Sequence, residues 1–197
     1  MEFTEVVQRR RMVRNYTGEP VGPDVLDRIL DTGIRIPSAG FSQGVFLVAV
    51  TDAETRAEIA RLCGEEEYVA DGFDPWISGA PVHILVCVSS AVYADRYAAA
   101  DKGGPDSPLA NADNWPVPYW WVDGGACMQN LLLAAVDEGL AAGFLGCERM
   151  PEIKTLLGIP DSVSPIGIVT VGHPAPDRKS GSLKRGRRPD TIHRERW

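Results

Sequence analysis

Nothing in the 197-residue chain is spaced to hold a metal. Its cysteines are Cys63, Cys87, Cys127 and Cys147, separated by 24, 40 and 20 positions, and no CxxC pair occurs. Free thiols in a reducing compartment are the expected state. Histidine is scarce as well. His83, His173 and His193 lie far apart, and His83 falls inside an apolar run. Long hydrophobic stretches are missing. Runs such as 84–88 and 131–136 fall well short of the roughly 20 residues that a membrane-spanning helix needs. The opening Met1-Glu2-Phe3-Thr4 has no apolar leader, so a cytoplasmic location is expected, with no membrane partner. The nucleotide and nucleophile signatures are absent too: there is no GxGxxG after a strand, no GxxxxGK[ST], no GxSxG and no HExxH. Gly143-Phe144-Leu145-Gly146 does not fit a dinucleotide fingerprint. With no Ser/His/Asp or Cys/His set at a familiar spacing, chemistry without a side-chain catalyst points to a cofactor that carries the reaction itself.

What is present is the composition of one globular domain, 44% hydrophobic and 24% charged. The net charge of −7 is unevenly spread: residues 178–197 carry +6 and residues 1–28 balance, which leaves −13 on residues 29–177. An acidic body with a basic tail suggests a local anionic ligand. An extended nucleic-acid surface would make a whole face basic, so no nucleic-acid partner is expected.

Phe3, Val6 and Val7 are spaced for a short opening helix, with Arg9, Arg10, Arg11 and Arg14 at or just beyond its end. Pro23 and Asp24 open a second helix, whose Val25, Leu26, Ile29, Leu30 and Ile34 repeat at helical spacing. The runs 45–50 and 82–88 read as buried strands, and Asp52 as the cap of a helix through Leu62. Residues 68–76 show no clear period. Residues 101–118, with four prolines and two glycines, predict a long loop or broken helix of the kind that forms lids. A long, largely buried helix is expected over 122–139, a short strand over 142–145, a helix over 151–157 and a last strand over 165–171. Interleaved helices and strands imply an α+β or α/β domain with a central sheet covered by helices. The basic tail contains Ile192 and Trp197 and reads as an arm that wraps a partner subunit.

Four segments can carry chemistry. Arg10 and Arg14, four apart on a helix, would share a face and repel unless an anion lay between them, and phosphate suits guanidinium forks. The second cationic cluster is Lys184-Arg185-Gly186-Arg187-Arg188. In Pro37-Ser38-Ala39-Gly40-Phe41-Ser42-Gln43, small residues and hydroxyls let backbone approach a flat ligand. In the small-residue run 139–146, a backbone N–H at Leu145 or Gly146 would face a ligand with no side chain in the way.

Taken in order, these segments resemble one family. Arg10-Arg11-Met12-Val13-Arg14-Asn15-Tyr16 resembles the RRSxRxF opening of the nitroreductase-like flavoproteins. The 37–43 segment resembles their PSAxNSQ, and Gln129-Asn130-Leu131-Leu132-Leu133-Ala134-Ala135 their QNLLLAA helix. Leu157-Gly158-Ile159-Pro160 and the Arg187-Arg188-Pro189 tail are similar to the family's closing segments.

The resemblance implies an α+β nitroreductase-like fold with a central mixed sheet. Residues 1–175 would form the flavin domain and 176–197 an arm exchanged in a homodimer, with FMN at the dimer interface. It further implies that Arg10 and Arg11 bind phosphate, that Arg14 lies at the flavin pyrimidine edge, and that Met12 stands at a cofactor contact. Pro37, Ser38, Ala39 and Phe41 would meet the ring, Leu145 and Gly146 would meet flavin N5, and Arg185 and Arg187 would complete the phosphate site. No side chain is then the catalyst. Hydride would pass from a reduced nicotinamide to N5, and an electrophilic small molecule of nitro, quinone or enone type would take the electrons in the same pocket, giving ping-pong kinetics. Trp115, Tyr119, Trp120, Phe73 and Trp76 would wall that pocket. Three positions depart from the family: Met12 stands where Ser is usual, Phe41 where Asn is, and Gly44-Val45 where Pro-Trp is. They leave room for a deazaflavin-linked or specialised biosynthetic oxidase or dehydrogenase. A flavin-binding protein without turnover and a tail that binds RNA are the readings from other classes.

Overall fold

The computed structural model describes residues 1–178 and 180–197; Lys179 of the basic arm lies outside them. Four strands form one sheet in the order β1 (Val45–Val50), β2 (Val82–Val88), β4 (Ser164–Gly172), β3 (Ala141–Leu145). All three pairings are antiparallel. The expected mixed sheet is therefore corrected: the parallel component among the described residues is an isolated bridge between Met12 and Ala142.

β2 shows why the sheet lies at the centre. Its seven residues are all buried, and successive side chains of a strand point to opposite faces. Ile84 and Val86 join Val169, Val171, Leu131 and Ile29 on one side. Leu85 and Cys87 join Ile168, Ile59, Trp76 and Ile153 on the other. Helices thus cover both faces, and a strand buried on both faces reads as a continuous apolar run. The first layer holds α2 (Pro23–Ile34) and α7 (Tyr119–Asp137). They pack so closely that a Cβ on Gly33 would lie 2.5 Å from the Leu131 side chain. The second layer holds α3 (Ala53–Leu62), α5 (Trp76–Gly79) and α8 (Met150–Leu157). Asp52 caps α3 as expected, its carboxylate accepting from the Thr55 N–H at 2.8 Å. The remaining helices are α1 (Phe3–Arg9), α4 (Glu65–Ala70) and α6 (Ser90–Tyr97).

His83 belongs to this core. Its Nε2 meets the Ile77 carbonyl at 2.7 Å, and its Nδ1 has no partner among the described residues. Burial lowers its pKa to about 4, so the ring is neutral at pH 7. None of the described helices is long and apolar enough to cross a membrane, and no group of three or more His, Cys, Asp or Glu among the described residues could hold a metal ion.

Candidate functional site

The opening arginines do not share a helical face. The last α1 hydrogen bond runs from Arg10 N to Val6 O, and Arg10 itself is extended (φ −58°, ψ 124°). The chain then runs along the free edge of β3, where Val13 N donates to Ala142 O at 3.1 Å. A sheet edge offers unpaired main-chain groups, and here these prevail over continuing the helix. Val13 and Tyr16 turn inward and are buried. Along this extended run Met12 is exposed and Arg10 and Arg14 are half-buried. Gly143 permits the close approach: a Cβ there would sit 2.7 Å from Val13 O and 2.9 Å from Thr170 Oγ1.

Arg14 lies over aromatic rings. Its guanidinium is 5.8 Å from the Phe73 ring centre and 5.7 Å from that of Trp76. Arg178 approaches Phe73 from the arm, 5.5 Å from the ring centre, and donates to Asp71 O at 2.8 Å. Trp76 is 1% exposed and packs against Tyr68, so it serves as core beneath Arg14 and lines no open pocket wall in this chain. Phe73 is half-buried.

Asp177 is a member of the site that sequence reasoning missed. Its carboxylate accepts from Arg11 Nη1 at 2.6 Å and from Arg14 N at 3.1 Å. The opening segment is also stitched to residues 173–176 by the bonds Thr17 N to His173 O, Ala175 N to Asn15 O, and Asn15 Nδ2 to Pro176 O. Arg11 is thus already paired. Arg10, like Arg14, forms no ion pair among the described residues and leaves its charge available to an anion.

The 37–43 segment follows α2 as a 3-10 turn, Ala39–Phe41. Gly40, Phe41 and Gln43 all have left-handed backbone, with φ of 62°, 56° and 57°. Phe41 is 73% exposed. Side chains hold this conformation. Gln43 N donates to Ser38 Oγ at 3.0 Å, Ser42 Oγ donates to Ala39 O at 2.6 Å, and Arg96 Nε donates to Gly40 O at 2.9 Å. Behind the turn lies a second residue that the sequence did not reveal, Asp123 of α7. Its Oδ2 accepts from Ala39 N at 3.2 Å and from the Tyr93 hydroxyl at 2.6 Å. Burial, and then this bond, push the Tyr93 phenol well above its ordinary pKa. Asn130 donates to the carbonyls of Thr32 and Arg35, tying the end of α2 to α7 just before the segment.

Tyr93 and Tyr97 of α6 join Trp115, Tyr119 and Trp120 in an edge-to-face cluster with ring centres 4.7–6.0 Å apart. Trp115 is 8% exposed, and its indole N–H donates to Leu109 O at 2.9 Å. It therefore pins the 101–118 loop, which carries short 3-10 turns at Ala100–Lys102, Pro108–Ala110 and Ala112–Asn114. The five aromatics expected along one wall thus divide into two groups. Trp115, Tyr119 and Trp120 stand behind the 37–43 turn, and Phe73 and Trp76 under Arg14.

At the end of β3, Leu145 is buried and Gly146 is exposed, with open space where a Cβ would stand. The parallel bridge at Met12 and Ala142 directs Arg14 toward this end and leaves Arg10 at the other. Arg185 and Arg187 lie on the exposed arm, Arg185 closing a 3-10 turn, Gly181–Arg185. Within this single chain they form no ion pair among the described residues.

A sequence model of the Nitroreductase family matches residues 7–173. The Bacillus subtilis FMN reductase [NAD(P)H] is 31% identical over 208 aligned positions, covering the whole of this chain and 74% of its own length. A relative from Archaeoglobus fulgidus, provisionally named as an NADH dehydrogenase/NAD(P)H nitroreductase, is 26% identical over the whole of this chain and 99% of its own. Among solved structures, a nitroreductase family protein from Streptococcus pneumoniae superimposes with a TM-score of 0.76 over 99% of this chain and 100% of its own, at 22% identity. The chain, with its antiparallel sheet between two helical layers and its opening segment on the β3 edge, belongs to the Nitroreductase family.

Proposed function

We propose that the chain is an FMN-dependent oxidoreductase that takes electrons from NAD(P)H. The observation that carries this reading is the extended run 10–14 along the edge of β3, heading toward the open backbone of Gly146. The residues fit FMN. Arg10 and Arg14 lie up to roughly 13 Å apart along an extended segment, room for a ribityl chain between a phosphate and a ring. The names of the relatives, FMN reductase and NADPH-flavin oxidoreductase, support the same cofactor. When bound, FMN supplies two-electron chemistry, with hydride from a reduced nicotinamide received at N5 and electrons released to an acceptor.

The protein's part is to bind and tune. Arg10 holds phosphate, with Arg185 and Arg187 of the arm. Arg14, set over Phe73 and Trp76, keeps a positive charge beside the ring and favours the negative charge that reduction develops. The Leu145–Gly146 backbone leaves the ring edge accessible. Pro37, Ser38, Ala39 and Phe41 meet the ring from a second copy of the chain. Phe41, Phe46, Trp121, Val122, Ile192 and Trp197 are exposed apolar side chains that such a homodimer would cover. Nicotinamide and an aromatic or otherwise electrophilic acceptor of nitro, quinone or enone type use one pocket in turn.

The test is to release any bound flavin by heat, identify it by chromatography, and then add NADH or NADPH anaerobically to the FMN-loaded protein. Recovery of FMN, and loss of the yellow absorbance on adding a nicotinamide, are expected. Recovery of FAD, or no bleaching with either nicotinamide, would overturn the reading.

A further inference from the structure

Outside the flavin-binding residues, the structure places two thiols side by side. Cys63 ends α3, and Cys147 follows Gly146 at the end of β3. The Cys147 thiol donates to the carbonyl of Leu62, the residue before Cys63, at 3.4 Å. Both side chains line a cavity of about 640 Å³ between α3, α4 and the β3–α8 loop. Arg61, Glu67, Tyr68, Gly146, Glu148 and Arg149 are among its other walls. Cys87 and Cys127, in contrast, are fully buried. A small molecule therefore has access to Cys63 and Cys147 and to neither of the others.

We propose that Cys63 and Cys147 are a thiol–disulfide modification site, oxidised by low-molecular-weight disulfides that enter this cavity. Cys147 attacks one sulfur of the small disulfide, forms a mixed disulfide and releases one thiol. Cys63 then gives up its proton to solvent and attacks the Cys147 sulfur. The new bond is Cys63–Cys147, and the second small thiol leaves carrying a proton. Two protein thiols are oxidised, and one disulfide is reduced to two thiols. Burial and the contact with Cys147 hold the Cys63 thiol above its ordinary pKa, which makes it the poorer first nucleophile; the second step is helped by being intramolecular, since Cys147 bonds the carbonyl of the residue before Cys63. The product ties the segment after Gly146 to the end of α3 and closes a long loop, which stabilises the fold through the unfolded state.

The experiment uses the full chain, equilibrated in glutathione buffers of rising oxidised fraction. Thiols are alkylated after denaturation, the protein is digested for mass spectrometry, and parallel samples are melted. A peptide cross-linked through Cys63 and Cys147 is expected, with Cys87 and Cys127 still alkylated. The melting temperature should rise, and a dithiol reductant should reverse both effects. Cys63→Ser and Cys147→Ser should each abolish the cross-link and the rise. Four alkylated cysteines in the most oxidising buffer, or glutathione adducts without the cross-link, would overturn the proposal. A cross-link that lowers the melting temperature would also do so, since it would show that the fold does not hold the thiols at bonding geometry. Gly146 also lines the cavity, so the titration is run on flavin-free and on FMN-loaded protein; the cross-link is read by mass and the oxidoreductase reading by bleaching, which keeps the failure of one distinguishable from the failure of the other.

Discussion

The opening segment 10–16 and the turn at 37–43 are both proposed to meet the flavin, yet different forces hold them. The opening segment is docked to the sheet by main-chain bonds, from Val13 N to Ala142 O at 3.1 Å and from Thr17 N to His173 O at 3.0 Å, with Asp177 and Asn15 adding side-chain bonds at its margin. Such bonds are indifferent to the outward side chains, which explains how Met12 can stand where a hydroxyl is usual in the family. The turn is fixed by side chains, namely Asp123, Arg96, Ser38 and Ser42, around three left-handed residues. Its geometry therefore depends on individual residues. One half of the site is robust to substitution and the other is brittle.

The largest break in that comparison is expected from Asp123→Ala. The Tyr93 hydroxyl and Ala39 N–H would lose a charged acceptor in a buried place, at about 4 kcal/mol by urea unfolding. Met12→Ala should cost under about 1 kcal/mol, and equal losses would erase the distinction. Acid should weaken the other half. His83 stays neutral in the fold, with a pKa of about 4 against 6.5 when unfolded. The unfolded chain therefore binds the proton first. Stability is retained above pH 6.5 and lost as pH falls from 6.5 to 4, by about 3 kcal/mol in all. His83 bonds Ile77 of α5, the helix that carries Trp76 beneath Arg14. A His83→Gln variant should flatten that part of the pH profile; an unchanged profile would place the acid sensitivity elsewhere. A smaller effect is expected from Asp177→Asn. The Arg11 partner is partly exposed, so the loss should be about 1 kcal/mol and should shrink in high salt. The smallest effect has the opposite sign. Phe41→Gly relieves a left-handed phenylalanine and should stabilise the protein by about 0.5 kcal/mol once the entropy of glycine is counted. Destabilisation would show that Phe41 already packs on something.

Much of the fold was legible because it is local. The apolar runs gave β1 and β2 their observed bounds, and proline with helical spacing gave α2. α6, Ser90–Tyr97, was not read, since its Ala, Ser and Tyr residues carry a weak apolar period. α1 was read as extending toward Arg14 because nothing local announces that Ala142 will offer a hydrogen bond. The same limit hid Asp123 and Asp177. Each is an ordinary acid in sequence, and its partner lies 84 or 166 residues away. The aromatics were visible as candidates, but their division between Arg14 and the 37–43 turn depends on α5 and α6, which lie on different parts of the fold.

The central claim is that the opening segment grips the phosphate of FMN through Arg10. The most direct measurement is a pair of binding titrations, FMN and riboflavin, on the wild-type protein and on Arg10→Ala. Riboflavin lacks the phosphate, so the account predicts a loss of about 10- to 150-fold for FMN, the value of one charge-assisted contact, and no change for riboflavin. An equal loss for both ligands, or for neither, would contradict it.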